Sequence, residues 1–392
     1  MKKVHIVWTI CLVVAVVLVL SRIITVVSSR PAKDGLFVRV RIANDREFVV
    51  VSSPSPASVI DPVKNEIIIH GVDLADGVRV SAERNAIICG TEVLPFRRIR
   101  LSPAKGGTIS TGGRAYRGEF DIILTDDGLD VVNIVGMEDY LKGVVPSEMN
   151  SFWPSSALKA QAIASRSFAL WRCLKRKNKD YDVTDDTFSQ VYKGVSGENW
   201  RTTRAVADTR GLVLEYDGKV LPAYFHSCCG GHTENAGEVW NHDLPPLKGV
   251  KCPWCRWSPY YRWQVRIPPD RLQQGLKAEG YDVKKIEDIR EGEGDASGRM
   301  KEVSVRTRDG WFRVPVNDMR RGVGTKYLKS TKFKIKKYPR FFLFNGYGWG
   351  HGVGMCQWGA FGLALRWRSA EFILKYYYPG AKIVPVEKIL SQ

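Results

Sequence analysis

The chain contains no H-E-x-x-H pair, no Gly-Lys-Ser/Thr phosphate loop and no G-x-G-x-x-G fingerprint. The usual signatures of zinc metalloproteases, nucleotide hydrolases and dinucleotide enzymes are therefore missing. Internal repeats and long low-complexity linkers are absent too, and SSPSPAS at 52–58 is only a loop signal. Acidic residues are in deficit. With 41 Asp and Glu against 59 Lys and Arg, the net charge is +18, which points to an anionic partner: nucleic acid, acidic lipid or an acidic polymer. What is present is globular in composition. At 44% hydrophobic and 11% aromatic residues in 392, the chain can bury one large core or two moderate ones.

The N-terminus narrows the partner. Behind Lys2 and Lys3, the stretch from Val4 to Ser21 carries no acidic residue, lysine or arginine. That length is near the roughly 20 residues needed to cross a bilayer, so residues 1–29 read as a membrane anchor or a cleavable signal peptide. The rest of the chain is then extracytoplasmic, membrane-anchored or secreted, and no nucleic-acid partner is expected. Eight cysteines in such a chain invite disulfides. Cys11, Cys89, Cys173 and Cys356 are scattered, whereas Cys228, Cys229, Cys252 and Cys255 are grouped.

Residues 35–135 alternate short β-type runs (LFVRVRI, EFVVVSS, EIIIHGV, DIILTDD, DVVNIV) with Gly, Asp, Asn and Pro. In FVRVRI, Val38, Val40 and Ile42 share one face and Phe37, Arg39 and Arg41 the other, which suits a sheet with one wet side. After Met137 the character changes. WPSSALKAQAIASRSFALWRC predicts a helix with Pro154 at its first position; Ala157, Ala160, Ala164 and Ser167 make one face flat enough for close packing, and Lys159 and Arg166, two turns apart, share another. Strands (GLVLEY, EVSVRT, WFRVPV) and two more helices (DRLQQGLKAEG, AEFILKYYY) follow. The expectation is an α+β fold: a β-rich half, then a mixed α/β catalytic region over 136–385 that forms a cleft.

Three motifs carry chemistry. GYGWGHGVGM places Gly at every even position from 346 to 354. Read with the strand period, the glycines share one face, and Tyr347, Trp349, His351, Val353 and Met355 the other. HSCCGGHT (226–233) is followed by CPWC, whose Cys252-x-x-Cys255 spacing is that of a zinc knuckle. Cys228, Cys229, His226 and His232 offer further ligands, and disulfides are the alternative. In GMEDYLKGVVPSEMNSFWP, Glu148 lies between a strand-like run, Val144-Val145-Pro146, and the Pro154 helix. A carboxyl there is partly desolvated and retains its proton near neutral pH.

These motifs occur in order: YLKGVVPSEM, WPSSALKAQAIASRSFAL, TFSQVYKG, AYFHSCCGGHTENAGEVW, SGRMKEVSV, GWGHGVGMCQWGAFGLA and ILKYYYPG. Together they resemble the stage II sporulation protein D and amidase-enhancer family from about Gly35 to Lys382. The resemblance implies a peptidoglycan lytic transglycosylase that cleaves between N-acetylmuramic acid and N-acetylglucosamine to leave 1,6-anhydro ends, with Glu148 as the catalytic acid and base. Lys159 and Arg166 would then hold the lactyl carboxylate of a stripped muramic acid, with Gln190, Tyr192, His351 and Gln357 as further substrate-binding residues. A structural zinc is implied on Cys229, His232, Cys252 and Cys255, with His226 as substitute ligand. The alternative is a non-enzymatic peptidoglycan-binding enhancer of a cell-wall amidase. A zinc-dependent amidase or peptidase is a third reading. Two features depart from the family pattern: Cys356 stands where Ser is expected, and Cys228 and Cys229 are adjacent.

Overall fold

The strand runs of the first hundred residues fold into two sheets. The larger has seven strands, in the order Val183–Thr184, Phe37–Arg46, Leu129–Gly136, Glu119–Leu124, Arg98–Pro103, Ala57–Asp61 and Glu66–Val72. The second has six and includes Phe48–Ser52 and Val78–Glu83. The computed structural model describes residues 35–240 and 243–391. The proposed N-terminal anchor or signal, with Cys11, lies outside them. No described helix is long and apolar enough to cross a membrane. From Phe37 onwards the chain packs as one unit.

Alternation in the first strand holds at Val38 and Val40, both fully buried, and fails at Ile42. The cause is a register shift between Arg41 and Ala43 in the pairing with Leu129–Gly136, which turns Ile42 out of the buried row. Opposite, Arg39 binds Asp182 through Nη2 at 2.6 Å and Nε at 3.2 Å, tying this strand to the loop beyond the Ala-rich helix.

Beyond Gly136 the structure differs from the sequence reading at one telling place. Val144-Val145-Pro146 is helical: the helix Met137–Glu148 includes Pro146 in its last turn and ends where Met149 N–H reaches Val145 O. An apolar run of this length does not distinguish strand from buried helix. The next helix, Ser155–Lys175, begins one residue later than expected, with Pro154 as its cap and Pro154 O accepting from Ala157 N–H at 3.0 Å. Ala157, Ala160, Ala164 and Ser167 are all fully buried. Around this helix lies a core that includes Leu214, Met355, Ala360 and Tyr377.

Within 136–385 a second core stands apart. Ile267, Leu272, Leu276, Val303, Val305, Val314, Met319, Phe342 and Phe344 pack together between two small sheets and two helices. Arg299, almost fully buried, ties this body to the cysteine loop: its guanidinium donates to Cys229 O at 2.8 Å and to His232 O at 3.1 Å.

The glycine-alternating motif is a strand only as far as Tyr347. Gly348, Gly350, Gly352 and Gly354 adopt φ of +78, +110, +92 and +70°, so the period of two comes from a loop of alternating left-handed residues. Gly354 shows why: an added Cβ would lie 2.0 Å from Tyr224 O.

Candidate active site and thiol cluster

Glu148 closes the helix Met137–Glu148 and is half-buried. Its Oε1 accepts from Val191 N–H at 2.8 Å, and the Gln357 side chain is a second hydrogen-bond partner. Burial raises the carboxyl from 4.5 to about 7, against the two hydrogen bonds, which favour the ionised form. Its place at a helix C-terminus adds to the upward push. No ion pair involves Glu148 among the described residues. The group is therefore a carboxyl poised to exchange a proton near neutrality, still reachable from solvent.

A buried polar network fixes it. Gln357, 5% exposed, starts the helix Gln357–Ala364 and donates to Gln161 Oε1 at 3.4 Å; Gln161 in turn donates to Ser165 Oγ at 2.9 Å. On the other side, Gln190 anchors the loop that presents the Val191 amide. Its Oε1 accepts from Tyr140 OH at 3.1 Å and its Nε2 reaches Ser165 O at 3.4 Å. Tyr192 donates to Asn133 Oδ1 at 3.0 Å and packs against Gly143, where a Cβ would meet its ring at 2.7 Å. Gln190 and Tyr192 are both buried. They hold Val191 in place and have no surface to offer a sugar, which corrects their reading as direct contacts.

Of the two cations of the Ala-rich helix, Arg166 is corrected in the same way. The two do share a face, and that face packs on the helix Trp200–Asp208. Arg166 is fully buried; it binds Glu138 at 2.7 and 2.9 Å and donates to Leu212 O and Val206 O. Lys159 pairs with Asp208 at 2.9 Å and is half-exposed. A substrate carboxylate has no access to Arg166, whose donors are already satisfied inside the protein. His351 is likewise engaged: Nε2 donates to Phe225 O at 3.0 Å and Nδ1 accepts from Val353 N–H at 3.1 Å. Burial and nearby Arg320 push it down to about 3, so it is a neutral imidazole bracing the glycine loop.

Sequence reasoning passed over the aromatics near Glu148. Trp358 follows Gln357 directly and meets Trp153 edge-on at 4.9 Å, while Trp153 lies 4.8 Å from Phe361. Phe152 and Phe188 are 79% and 84% exposed, each with its amide held at 2.9 Å by a side chain two residues back, Asn150 and Asp186. The signal was present in NSFWP and DDTFS: an Asx turn presenting a Phe on each segment that meets at the Glu148–Val191 bond.

The cysteine motif forms a separate centre. The sulfurs of Cys229, Cys252, Cys255 and Cys356 all lie within 4.8 Å of one another and are buried. None of the seven described cysteines is in a disulfide. A tetrahedral zinc with about 2.3 Å Zn–S bonds sets sulfurs about 3.8 Å apart, and Cys229 and Cys255 stand at 3.5 Å. The donor set fits such an ion. Cys356 Sγ accepts from Cys229 N–H and Gly359 N–H, both at 3.3 Å, contacts that suit a thiolate at a helix start. His232 and His226 are outside the cluster, which corrects the expected ligand set. Nδ1 of His232 lies 2.6 Å from Thr233 O, and Nδ1 of His226 lies 3.0 Å from Val353 O. The fourth sulfur comes instead from the glycine motif, because Phe225–His226 pairs in parallel with Met355–Cys356.

Comparison with known proteins follows the same segments. The family described as Stage II sporulation protein matches residues 125–216, and a domain of unknown function (DUF8618) matches 255–354, close to the second core. An uncharacterized protein of Brachyspira hyodysenteriae is 37% identical over 71% of this chain and 74% of its own length. Stage II sporulation protein D of Bacillus subtilis is 33% identical over 67% of this chain and 78% of its own. The amidase enhancer of Bacillus subtilis is 31% identical over 91% of this chain, which spans 56% of that relative. Fold, site and matches thus define an α+β protein of the stage II sporulation protein class, with a raised carboxyl at Glu148 and a four-thiol cluster. The chain belongs to the stage II sporulation protein D family, which includes relatives named as amidase enhancers.

Proposed function

We propose that this chain is a peptidoglycan lytic transglycosylase with Glu148 as its single acid and base. The observation that carries the reading is the half-buried carboxyl at about 7, fixed by Val191 N–H and Gln357 and without an ion-pair partner among the described residues. Protonated Glu148 donates to the glycosidic oxygen between N-acetylmuramic acid and N-acetylglucosamine, and the bond to C1 of the muramic acid breaks. The carboxylate then takes the proton of the C6 hydroxyl of the same sugar, whose oxygen closes on C1 as a 1,6-anhydro ring. Water is not consumed and no second carboxylate is needed, unlike the two-carboxylate hydrolases. The exposed Phe152 and Phe188 suit the apolar faces of the sugars.

The four thiols would hold a structural zinc in a closed site. Such an ion supplies stability. Its link to the chemistry is covalent: Cys356 precedes Gln357, so the cage fixes the start of the helix that presents Gln357 to Glu148. The expected setting is extracytoplasmic, on glycan strands, with residues 1–29 as a membrane anchor or a cleavable signal.

The experiment is to incubate the purified protein with peptide-stripped glycan strands and look for anhydro-muramyl ends by mass spectrometry. Their absence, or their persistence in Glu148→Gln, overturns the reading. Similarity to the amidase enhancer over 91% of the chain favours one second reading, a wall-binding enhancer of an amidase. It requires Glu148→Gln to stimulate such an amidase as well as the wild type does, with no anhydro ends formed.

A further inference from the structure

The charge excess is concentrated in the second core. Between Arg262 and Tyr347 there are 21 Lys and Arg and 11 Asp and Glu, a surplus of 10 within a total of 18. Part of it is ordered on one three-stranded sheet, Arg262–Ile267, Phe342–Tyr347 and Phe333–Lys337, with Phe342–Tyr347 in the centre.

Register fixes which residues line up. Arg262 pairs with Tyr347; Gln264 pairs with Asn345, which pairs with Lys334; Arg266 pairs with Leu343, which pairs with Lys336. The inward residues, Trp263, Ile267, Phe342, Phe344 and Phe333, are buried in the core, so these rungs face outward. Successive rungs are about 7 Å apart and the two outer strands about 10 Å apart. The outward face is therefore two rails of cations on either side of a neutral row, Leu343, Asn345 and Tyr347.

The rails are presented rather than paired off. Arg262 lies over the Tyr347 ring and Arg266 over Phe341, at 5.7 and 5.2 Å from the centroids. Of the four rail cations, Lys334 alone has an ion-pair partner among the described residues, Glu291 at 2.8 Å. Gln264 donates to Asn345 Oδ1 at 2.7 Å and orients the amides between the rails. At the Tyr347 end the face runs into a cavity of about 510 Å³ lined by His232, Tyr261, Lys332 and Tyr347, with Asp295 as its acid. Lysines on an outer strand also discourage edge-to-edge pairing, but that role is indifferent to the face they take. Here four cations share one face.

We infer that this sheet face is a second binding track, carried on elements other than those of the Glu148 centre, for a glycan strand bearing carboxylates. The cations meet the carboxylates, while Tyr347 and the Gln264–Asn345 amides meet sugar faces and hydroxyls. The nature of the polymer rests on the proposed function; the track itself does not. A strand held here stays on the protein while the Glu148 centre acts on it or releases it.

The test uses the full chain carrying Glu148→Gln, so that nothing is cleaved, with and without Arg266→Glu, Lys334→Glu and Lys336→Glu. All three side chains are exposed, so the melting transition should be unchanged. Binding to peptide-stripped strands should fall roughly tenfold or more, and its salt dependence should flatten. Binding to neutral chitin oligosaccharides should not change. Unaltered affinity for the stripped strands overturns the inference, as does equal loss on the neutral oligosaccharide, or inorganic polyphosphate binding as tightly as the strands. The readout needs no turnover, so it succeeds or fails independently of whether anhydro ends are formed.

Discussion

Replacing Glu148 with Gln tests the raised carboxyl directly, through stability. In the unfolded chain this group titrates near 4.5, and in the fold near 7. Between those values the native state keeps a proton that the unfolded state has lost, so unfolding releases it and wild-type stability falls as pH rises, levelling off above about 7. A difference of that size is worth about 3 kcal/mol in full, an upper figure for a group that is only half-buried. Glutamine copies the shape and can still accept from Val191 N–H, but it does not ionise. The variant should match wild type near pH 4 and exceed its stability by about 2–3 kcal/mol at pH 8. Urea unfolding of both proteins across this range measures the difference. Glu234, also raised to about 7 by burial and by Asp295, contributes equally to both curves and cancels. A difference that stays flat with pH would refute the claim that the fold keeps Glu148 protonated.

Arg166→Ala should destabilise by about 3–5 kcal/mol in urea melts because it strands Glu138 and two carbonyls, whereas Lys159→Ala, at a half-exposed pair, should cost about 1 kcal/mol or less. Gln357→Leu removes a hydrogen bond that favours the ionised carboxyl, so the alkaline limb of the pH–rate profile for anhydro-end formation should move upwards. Elemental analysis should find one zinc per chain; Cys356→Ser should weaken its retention and lower the melting temperature, and chelation should unfold the protein before, or together with, loss of turnover.

Much of this was legible in the sequence for identifiable reasons. The strand runs before Gly136 and the alanine face at 157, 160 and 164 were visible because burial on one side imposes a period. Val144-Val145-Pro146 was misread because a short apolar run carries no period of its own. Gly348 to Gly354 was misread for the opposite reason: a genuine period of two had a different cause, alternating left-handed backbone. The desolvated setting of Glu148 was legible from its apolar context, but its partners Val191 and Gln357 are 43 and 209 positions away along the chain and only folding brings them in. Arg166 and Gln190 were read as substrate contacts through the family resemblance, and their burial is a tertiary fact that motifs do not carry. Of the sequence's oddities, Cys229 from the adjacent pair and Cys356 in place of serine proved to be parts of one cluster, while Cys228 stands outside it.

The glycine loop has a consequence for how this chain can diverge. At 348, 350, 352 and 354 the backbone turns where only a residue without a side chain is comfortable, while Trp349, His351 and Val353 between them each answer to a different neighbour. Substitution tolerance along the loop should therefore rise and fall like the teeth of a comb, the even positions closed to almost every replacement and the odd ones limited only by the neighbour each touches.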